Sequence, residues 1–412
     1  MENLVLTNAR SACLNALTYK RINNLTKTTN LTNMKPIQMV DLKSQYHKIK
    51  EEIDSRVLNV IESSAYINGP AVKDFQRHLE EYLHVKHVIP CGNGTDALLV
   101  AMMALELKPG DEVISTPFTF IATVEVIGLL GLTPVFVDVE EDTFNMDVKQ
   151  LEAAITPKTK AIVPVHLFGQ CCNMQEILNI ANKHGVAVIE DNCQAIGAEV
   201  MIDNYPLQKS GTLGTIGCTS FFPSKNLGCY GDGGALFTND DALDEKIRGI
   251  VNHGMFTRYY HDMIGVNSRL DSIQAAILDV KLKHLDEYIA ARQQAALYYN
   301  KAFANHPNIV TPATASYSTH VFHQYTLKLK NVDRFRLIEH MKELGVPVMI
   351  YYPVPLHLQK AFAHLGYHKG DFPVTEALCD CVVSLPMHTE LDEEQLSYIT
   401  ENFLKAMDQF AN

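Results

Sequence analysis

Ser220-Phe-Phe-Pro-Ser-Lys-Asn-Leu-Gly-Cys-Tyr-Gly-Asp-Gly-Gly234 decides how the rest of the chain is read. Lys225 lies in it between a short apolar strand expected over Ile216–Phe222 and a glycine-rich turn that opens another, Ala235–Thr238. An amine held by rigid elements at the rim of a sheet is well placed to form a Schiff base. Upstream, the run Val186-Ala-Val-Ile-Glu190 ends in Asp191, and Gln194 follows. A carboxylate at that point is the usual partner of a pyridinium nitrogen in pyridoxal 5'-phosphate (PLP) enzymes. Taken singly, a lysine is most often a solvated charge, and a strand-end aspartate commonly caps the next helix. In this order and context the two point to PLP chemistry.

Working outward, strand and helix patterns alternate from Met39 onward. Strands are expected at Val85–Ile89, Glu112–Ser115, Val135–Val139, Ala161–Val165 and Val186–Glu190, each a short apolar run between turn signals. Helices are expected at Gln45–Glu62, Asp96–Leu107, Thr119–Leu130 and Ala242–Val251. Such alternation predicts an α/β fold, a mainly parallel sheet covered on both faces. Ser268–Ala304 reads as one long helical connector. Beyond it, Phe322-His-Gln-Tyr-Thr-Leu-Lys-Leu329, a helix near Phe335–Leu344, the run Val346–Tyr352 and an amphipathic helix Glu393–Phe410 predict a smaller α+β part. The expected division is an N-terminal extension over 1–34, a large PLP-binding domain over 35–287 and a small C-terminal domain over 288–412.

Bulk properties narrow the function. A chain of 412 residues can build two cores, and 47% hydrophobic with 20% charged residues is the make-up of a soluble globular protein. A net charge of −12 with no basic stripe argues against a nucleic-acid-binding body. The longest apolar stretch, Val126–Val137, is broken by glycine, threonine and Pro134, so no membrane-spanning helix is expected. Nine scattered cysteines without a CxxC pair read as free thiols of a cytoplasmic protein, with no metal site. Residues 1–34 are rich in Asn, Thr and Leu and nearly free of acids, a composition like a transit peptide; a disordered tail, or a start at Met34, is the plainer expectation.

Three further segments carry chemistry. Gly92-Asn-Gly-Thr-Asp96 lies between a strand and a helix, where backbone amides and the Thr95 hydroxyl can receive a phosphate; the plain alternative is a tight turn with Thr95 as N-cap. Neither GxGxxG nor a Walker lysine motif is present, so dinucleotide and nucleoside-triphosphate cradles lack support. Phe120, in Pro117-Phe-Thr-Phe-Ile-Ala-Thr123, can stack on a flat cofactor or fill core. His166, in Val165-His-Leu-Phe-Gly169, stands at a strand end, where α/β sheets place ligands.

These motifs, with Gly94-Thr-Asp-Ala-Leu98, Glu190-Asp-Asn-Cys-Gln-Ala195, Asn252-His-Gly254 and Gly265-Val-Asn-Ser-Arg-Leu-Asp271, resemble the DegT/DnrJ/EryC1/StrS family of PLP-dependent nucleotide-sugar aminotransferases. The likeness covers about residues 36–410 and implies the aspartate aminotransferase-like fold type I. Within the family, Thr219–Lys225, Gly228–Gly234 and Val383-Ser-Leu-Pro-Met-His388 are most similar to the branch that aminates C3 of UDP-2-acetamido-2-deoxy-3-keto-glucuronate.

The resemblance implies roles. Lys225 would carry the Schiff base, Asp191 would hold the pyridine nitrogen, Gln194 the ring hydroxyl, and Phe120 would cover the ring face. Gly94, Thr95 and Ser220 would bind the phosphate. Asn267 would reach the phosphate of a neighbouring subunit's cofactor, making the active unit a homodimer with shared sites. Arg269 would lie near substrate, with His166, Tyr351, Tyr352 and His357 as further substrate contacts. L-Glutamate would donate the amino group and a UDP-linked keto-sugar would accept it, in ping-pong order, to make a surface-polysaccharide precursor.

Two departures stand out. Asn192-Cys193 replaces two small residues, and Tyr351 stands where the uronate branch has histidine before Tyr-Pro-x-Pro-Leu. The rivals are an aminotransferase for a C4 or dTDP-linked keto-sugar, a sugar 3-dehydratase, and a non-catalytic PLP-binding regulator. Lys225 argues against the dehydratase, which has histidine there. Lys225, Asp191 and Gln194 together argue against the regulator.

Overall fold

Aliphatic side chains on both faces of each central strand demand cover on both sides. In the computed structural model, which describes residues 34–202 and 207–412, seven strands meet that demand. They are β1 His87–Cys91, β2 Glu112–Ser115, β3 Thr133–Phe136, β4 Thr159–Ile162, β5 Ala187–Asp191, β6 Ile216–Ser220 and β7 Gly234–Thr238. Their order is β1-β7-β6-β5-β4-β2-β3. Only β7 runs against its neighbours, β1 and β6; the other pairs are parallel. The expected N-terminal extension, 1–34, lies outside the described residues except for Met34.

Alternation along the strands sorts side chains between two cores. Val88, Ile114, Ile162, Val188 and Phe237 face one. Their neighbours Ile89, Val113, Ala161, Ile189 and Leu236 face the other. Helices cover both faces: α3 Pro70–Leu83, α4 Gly94–Ala104, α5 Ala122–Leu129, α6 Met174–His184, α7 Asp241–Ile250, α8 Ser272–Leu282 and α9 Leu285–Phe303, while α1 Leu42–Lys48 leads into α2 Lys50–Ser63, which packs on α8. Phe75 and Leu79 of α3 enter the first core, and Leu98, Val100 and Met102 of α4 enter the second.

Two helices expected as single pieces are divided. Ile49, at φ −118° and ψ 20°, separates α1 from α2. His284, at φ −101° and ψ 1°, separates α8 from α9, where Lys283 and His284 donate to carbonyls three residues back. That tighter turn lets Leu278, Leu282, Leu285 and Ile289 reach one core. No glycine or proline marks either break.

The far half of α9 sends Ala295, Ala296, Tyr299 and Phe303 into a third core. One helix thus spans two cores, and the expected boundary at 287/288 falls inside it. A three-stranded antiparallel sheet, β8 Ile309–Val310, β9 Tyr325–Leu329 and β10 Val382–Leu385, backs this third core. The helices α10 Arg334–Glu343 and α12 Glu393–Gln409 fill it from the other side, while α11 Pro373–Cys381 runs straight into β10. The run Val346–Tyr352 joins this sheet through one bridge, Met349 to Ser384.

Candidate active site

Parallel strands leave their carboxyl ends at one edge of the sheet, and ligands bind there. Asp191 closes β5 and Ser220 closes β6. β4 stops at Ile162 because Pro164 has no amide to continue the ladder; its carbonyl accepts the Asp191 N–H at 2.9 Å instead. Beside these ends α4 begins at Gly94. Its N-cap is Asn93, whose Oδ1 accepts from the Asp96 N–H at 2.8 Å, so the alternative of Thr95 as cap is corrected. Gly94 and Thr95 sit in the first turn, where helical amides have no partner of their own. A Cβ on Gly94 would lie 2.6 Å from Ser220 Cβ and 3.0 Å from Cys193 Sγ. Only glycine lets the helix start approach the end of β6.

A cavity of about 630 Å³ opens here, lined by Gly94, Thr95, Thr119, Phe120, Thr123, Asp191, Cys193, Gln194, Ser220, Phe222, Lys225, Asp232, His323, Gln324, Tyr351 and Tyr352 among others. That volume is ordinary for a small-molecule site. Phe120 is 55% exposed, so it is a wall of the cavity and not core.

Asp191 is buried with both oxygens engaged. Oδ2 accepts from Thr123 Oγ1 at 2.7 Å, and Oδ1 accepts from the Cys193 N–H at 3.2 Å. Gln194 Oε1 accepts from the Phe168 N–H at 2.8 Å, and its Nε2 donates to the Tyr352 hydroxyl at 3.1 Å. A primary amide has a second N–H, so one donor stays available for a ligand oxygen. The Tyr352 ring packs near Phe118, Phe120 and Phe168, and burial raises its phenol pKa.

Lys225 reaches the same cavity. Burial pushes its ammonium below the ordinary lysine range, against the pull of Cys193 and Asp191. A lowered value enriches the free amine, the nucleophilic form. His323, which the motifs did not reveal, also lines the cavity; burial first, then Lys225 and Arg292, push its imidazole well below the usual histidine range.

Two expected substrate contacts are corrected. His166 is fully buried: its Nδ1 accepts the Cys172 N–H at 3.2 Å and its Nε2 donates to Glu190 Oε2 at 2.8 Å. Glu190 also accepts from the Gly211, Leu213 and Gly214 amides at 2.9, 2.6 and 2.6 Å. This is a closed buried network beneath the site. His357 is buried against Phe372 and bonded to Glu376 at 3.1 Å. Neither ring faces the cavity. Arg269 and Asn267 do not line this chain's own cavity either: Arg269 donates to Asn252 Oδ1 at 3.3 Å, while Asn267 is exposed and bridges Asn252 through the backbone.

The groups present fit PLP. Helix-start amides with the Ser220 hydroxyl suit a phosphate, a buried carboxylate suits a pyridine nitrogen, and a desolvated amine suits the aldehyde carbon. The close approach at Gly94 keeps the phosphate end open where a side chain would fill it.

Comparison with known proteins agrees. The profile of the DegT/DnrJ/EryC1/StrS aminotransferase family matches residues 47–404. The chain is 47% identical over 377 residues to a pleiotropic regulatory protein of Geobacillus stearothermophilus, covering 91% of this chain and 100% of that one. It is 46% identical over 363 residues to the UDP-2-acetamido-2-deoxy-3-oxo-D-glucuronate aminotransferase of Pseudomonas aeruginosa, covering 88% and 98%. It is 44% identical over 369 residues to the UDP-N-acetyl-3-dehydro-alpha-D-glucosamine 3-aminotransferase of Acidithiobacillus ferrooxidans, covering 90% and 97%. The crystal structure of NtdA from Bacillus subtilis with bound cofactor PMP superposes with a TM-score of 0.81 at 31% identity, covering 90% of this chain and 83% of that one.

Proposed function

The chain belongs to the DegT/DnrJ/EryC1/StrS aminotransferase family, and from that premise we propose that it moves the amino group of L-glutamate to C3 of a UDP-linked 2-acetamido-2-deoxy-3-keto sugar. UDP-2-acetamido-2-deoxy-3-keto-glucuronate is the first candidate. The observation that carries this reading is that relatives at 46% and 44% identity, matched over nearly their whole length, are both named for UDP-linked N-acetylated sugars with a 3-oxo group.

PLP supplies an electron sink for the carbon that bears the amino nitrogen. The rest falls to the chain. Asp191 would pair with the ring nitrogen and keep it charged. Gln194 would offer its free N–H to the ring hydroxyl, Phe120 would cover one ring face, and Gly94, Thr95 and Ser220 would hold the phosphate. Lys225 Nζ anchors the cofactor, then carries the proton taken from the amino-bearing carbon. Glutamate leaves as 2-oxoglutarate before the keto-sugar enters, so the kinetics are ping-pong.

One observation favours a second substrate, the uncharged 3-keto-N-acetylglucosamine nucleotide. Tyr351 lines the cavity, and burial raises its phenol pKa; it can donate one hydrogen bond to a sugar oxygen but cannot offer a carboxylate positive charge. Both substrates assayed with glutamate as donor decide the matter: the preferred one should lead in kcat/KM by roughly tenfold or more, the worth of one charge-assisted hydrogen bond. Adding glutamate alone to the holoenzyme should bleach its visible absorption and release 2-oxoglutarate. A band that persists would favour the regulatory reading and sink the enzymatic one.

Two chains are proposed to share each site. The segment before Asn267 exposes Phe256, Tyr259, Tyr260 and Ile264, the last at 87%, and such a group of large apolar side chains calls for a covering surface. Covered by a C2 partner, it would carry Asn267 toward the partner's cofactor phosphate and Arg269 toward its substrate. Mixing inactive Lys225→Ala subunits with inactive Arg269→Ala subunits should then restore activity, because one site of each heterodimer keeps both residues. If subunit exchange is demonstrated and activity stays at the parental level, the shared site is wrong. A cytoplasmic setting is part of the same proposal: the described cysteines are all free thiols, and among the described residues no helix is long and apolar enough to cross a membrane.

A further inference from the structure

Thr123 has no part in the scheme above, yet its hydroxyl binds the residue on which that scheme turns. We infer that Thr123 is a positioning residue that fixes the plane of the Asp191 carboxylate and thereby holds the proton on the cofactor's ring nitrogen, an inference that rests on the PLP reading of this site. Thr123 lies in the first turn of α5 and is 1% exposed. A threonine in a helix commonly turns its hydroxyl back to a carbonyl three or four residues earlier. This one instead spans 68 residues of sequence to reach Asp191 Oδ2 at 2.7 Å.

The direction of each bond follows from chemistry. An ionised carboxylate only accepts, so the single Thr123 proton points at Oδ2. The contact of 3.4 Å between Thr119 and Thr123 must therefore run from Thr119 as donor. A short relay, Thr119 to Thr123 to Asp191, forms the inner wall of the cavity, and all three side chains line it. On the other oxygen the Cys193 amide donates at 3.2 Å. One donor on each oxygen stops the carboxylate from rotating about its last bond. The lone pair left on each oxygen has a fixed direction. α5 and β5 are thus locked together at the one point where a degree of rotation would misdirect the charge.

The test uses Thr123→Val, which keeps the shape and deletes the donor, and Thr123→Ser, which keeps the donor and deletes a methyl group. Each is measured by PLP dissociation constant and by the pH dependence of the visible band of the bound cofactor. For Thr123→Val the dissociation constant should rise about tenfold, the worth of one hydrogen bond to a charged group, and the band's pH dependence should shift. Thr123→Ser should restore both. The melting temperature of the apoprotein, followed alongside, should fall no more in valine than in serine. Wild-type affinity and an unshifted band in Thr123→Val overturn the inference, and so does an equal loss in both variants, which would mean that volume matters and the donor does not. Failure of the wild-type protein to take up PLP at all is a separate outcome, and it removes the cofactor reading on which the inference stands.

Discussion

Lys225→Ala is expected to abolish amino transfer, by at least about 10⁴-fold, the upper range for loss of a positioned proton carrier. One residue would serve two ends: its nitrogen tethers the cofactor, and the same nitrogen, once displaced by incoming amine, moves the proton. No neighbour can take over both. Asp191 and Asp232, the other charged groups of the wall, are acids, and burial pushes the imidazole of His323 well below the usual histidine range. Burial pushes the Lys225 ammonium down, so below the ordinary lysine range the unfolded chain binds that proton more tightly than the folded one. The contribution of Lys225 to stability therefore improves as pH rises and is unfavourable near neutrality. Deleting the amine should leave the melting temperature of the apoprotein unchanged or slightly raised at pH 7. Borohydride reduction of wild-type holoenzyme followed by peptide mapping should place the pyridoxyl group on Lys225. Label on another lysine, or none, would remove the centre of the proposed mechanism.

What could be read from the sequence was local. Asp191 and Ser220 end strands, Gly94 opens a helix, and Lys225 follows Ser220 within one turn, so short motifs with turn signals around them revealed each in place. The pairing of Asp191 with Thr123 was hidden because it joins side chains of two elements, and a threonine on an apolar helix gives no sign of which way its hydroxyl turns. His323 was hidden for the same reason; it reaches the cavity from the bend just before β9, a strand of the third core. His166 and His357 show the converse. A histidine at a strand end or after a Pro-x-Pro turn looks like a ligand, but whether its ring points to solvent or to a carboxylate inside the fold depends on packing. Glu190 and Glu376 settle that in three dimensions. The α8–α9 break likewise has no breaker residue; it exists because four leucine and isoleucine side chains must face one core.

Asp191→Asn is expected to keep the fold and lower turnover by roughly 10² to 10³, the usual loss when one preorganised electrostatic partner is removed. The fold can tolerate the change for a specific reason. The asparagine oxygen can keep the Cys193 amide, while the new NH₂ turns to the Thr123 hydroxyl, which accepts as readily as it donates. No buried polar atom is orphaned, so the apoprotein should melt near the wild-type temperature. What would disappear is the negative charge proposed to face the ring nitrogen. PLP should still bind, at raised concentration, through the phosphate site and Lys225, but the ring would no longer hold its proton and would be a poorer electron sink. The rate of the glutamate half-reaction and the PLP dissociation constant, measured together, check this. Near-normal turnover would make Asp191 a structural cap. A second variant separates charge from shape. Asp191→Ala leaves room for a methyl group, and PLP methylated on the ring nitrogen carries a fixed positive charge. That pairing should recover part of the lost rate, whereas Asp191→Ala with ordinary PLP should not. If both remain equally slow, Asp191 acts through geometry alone.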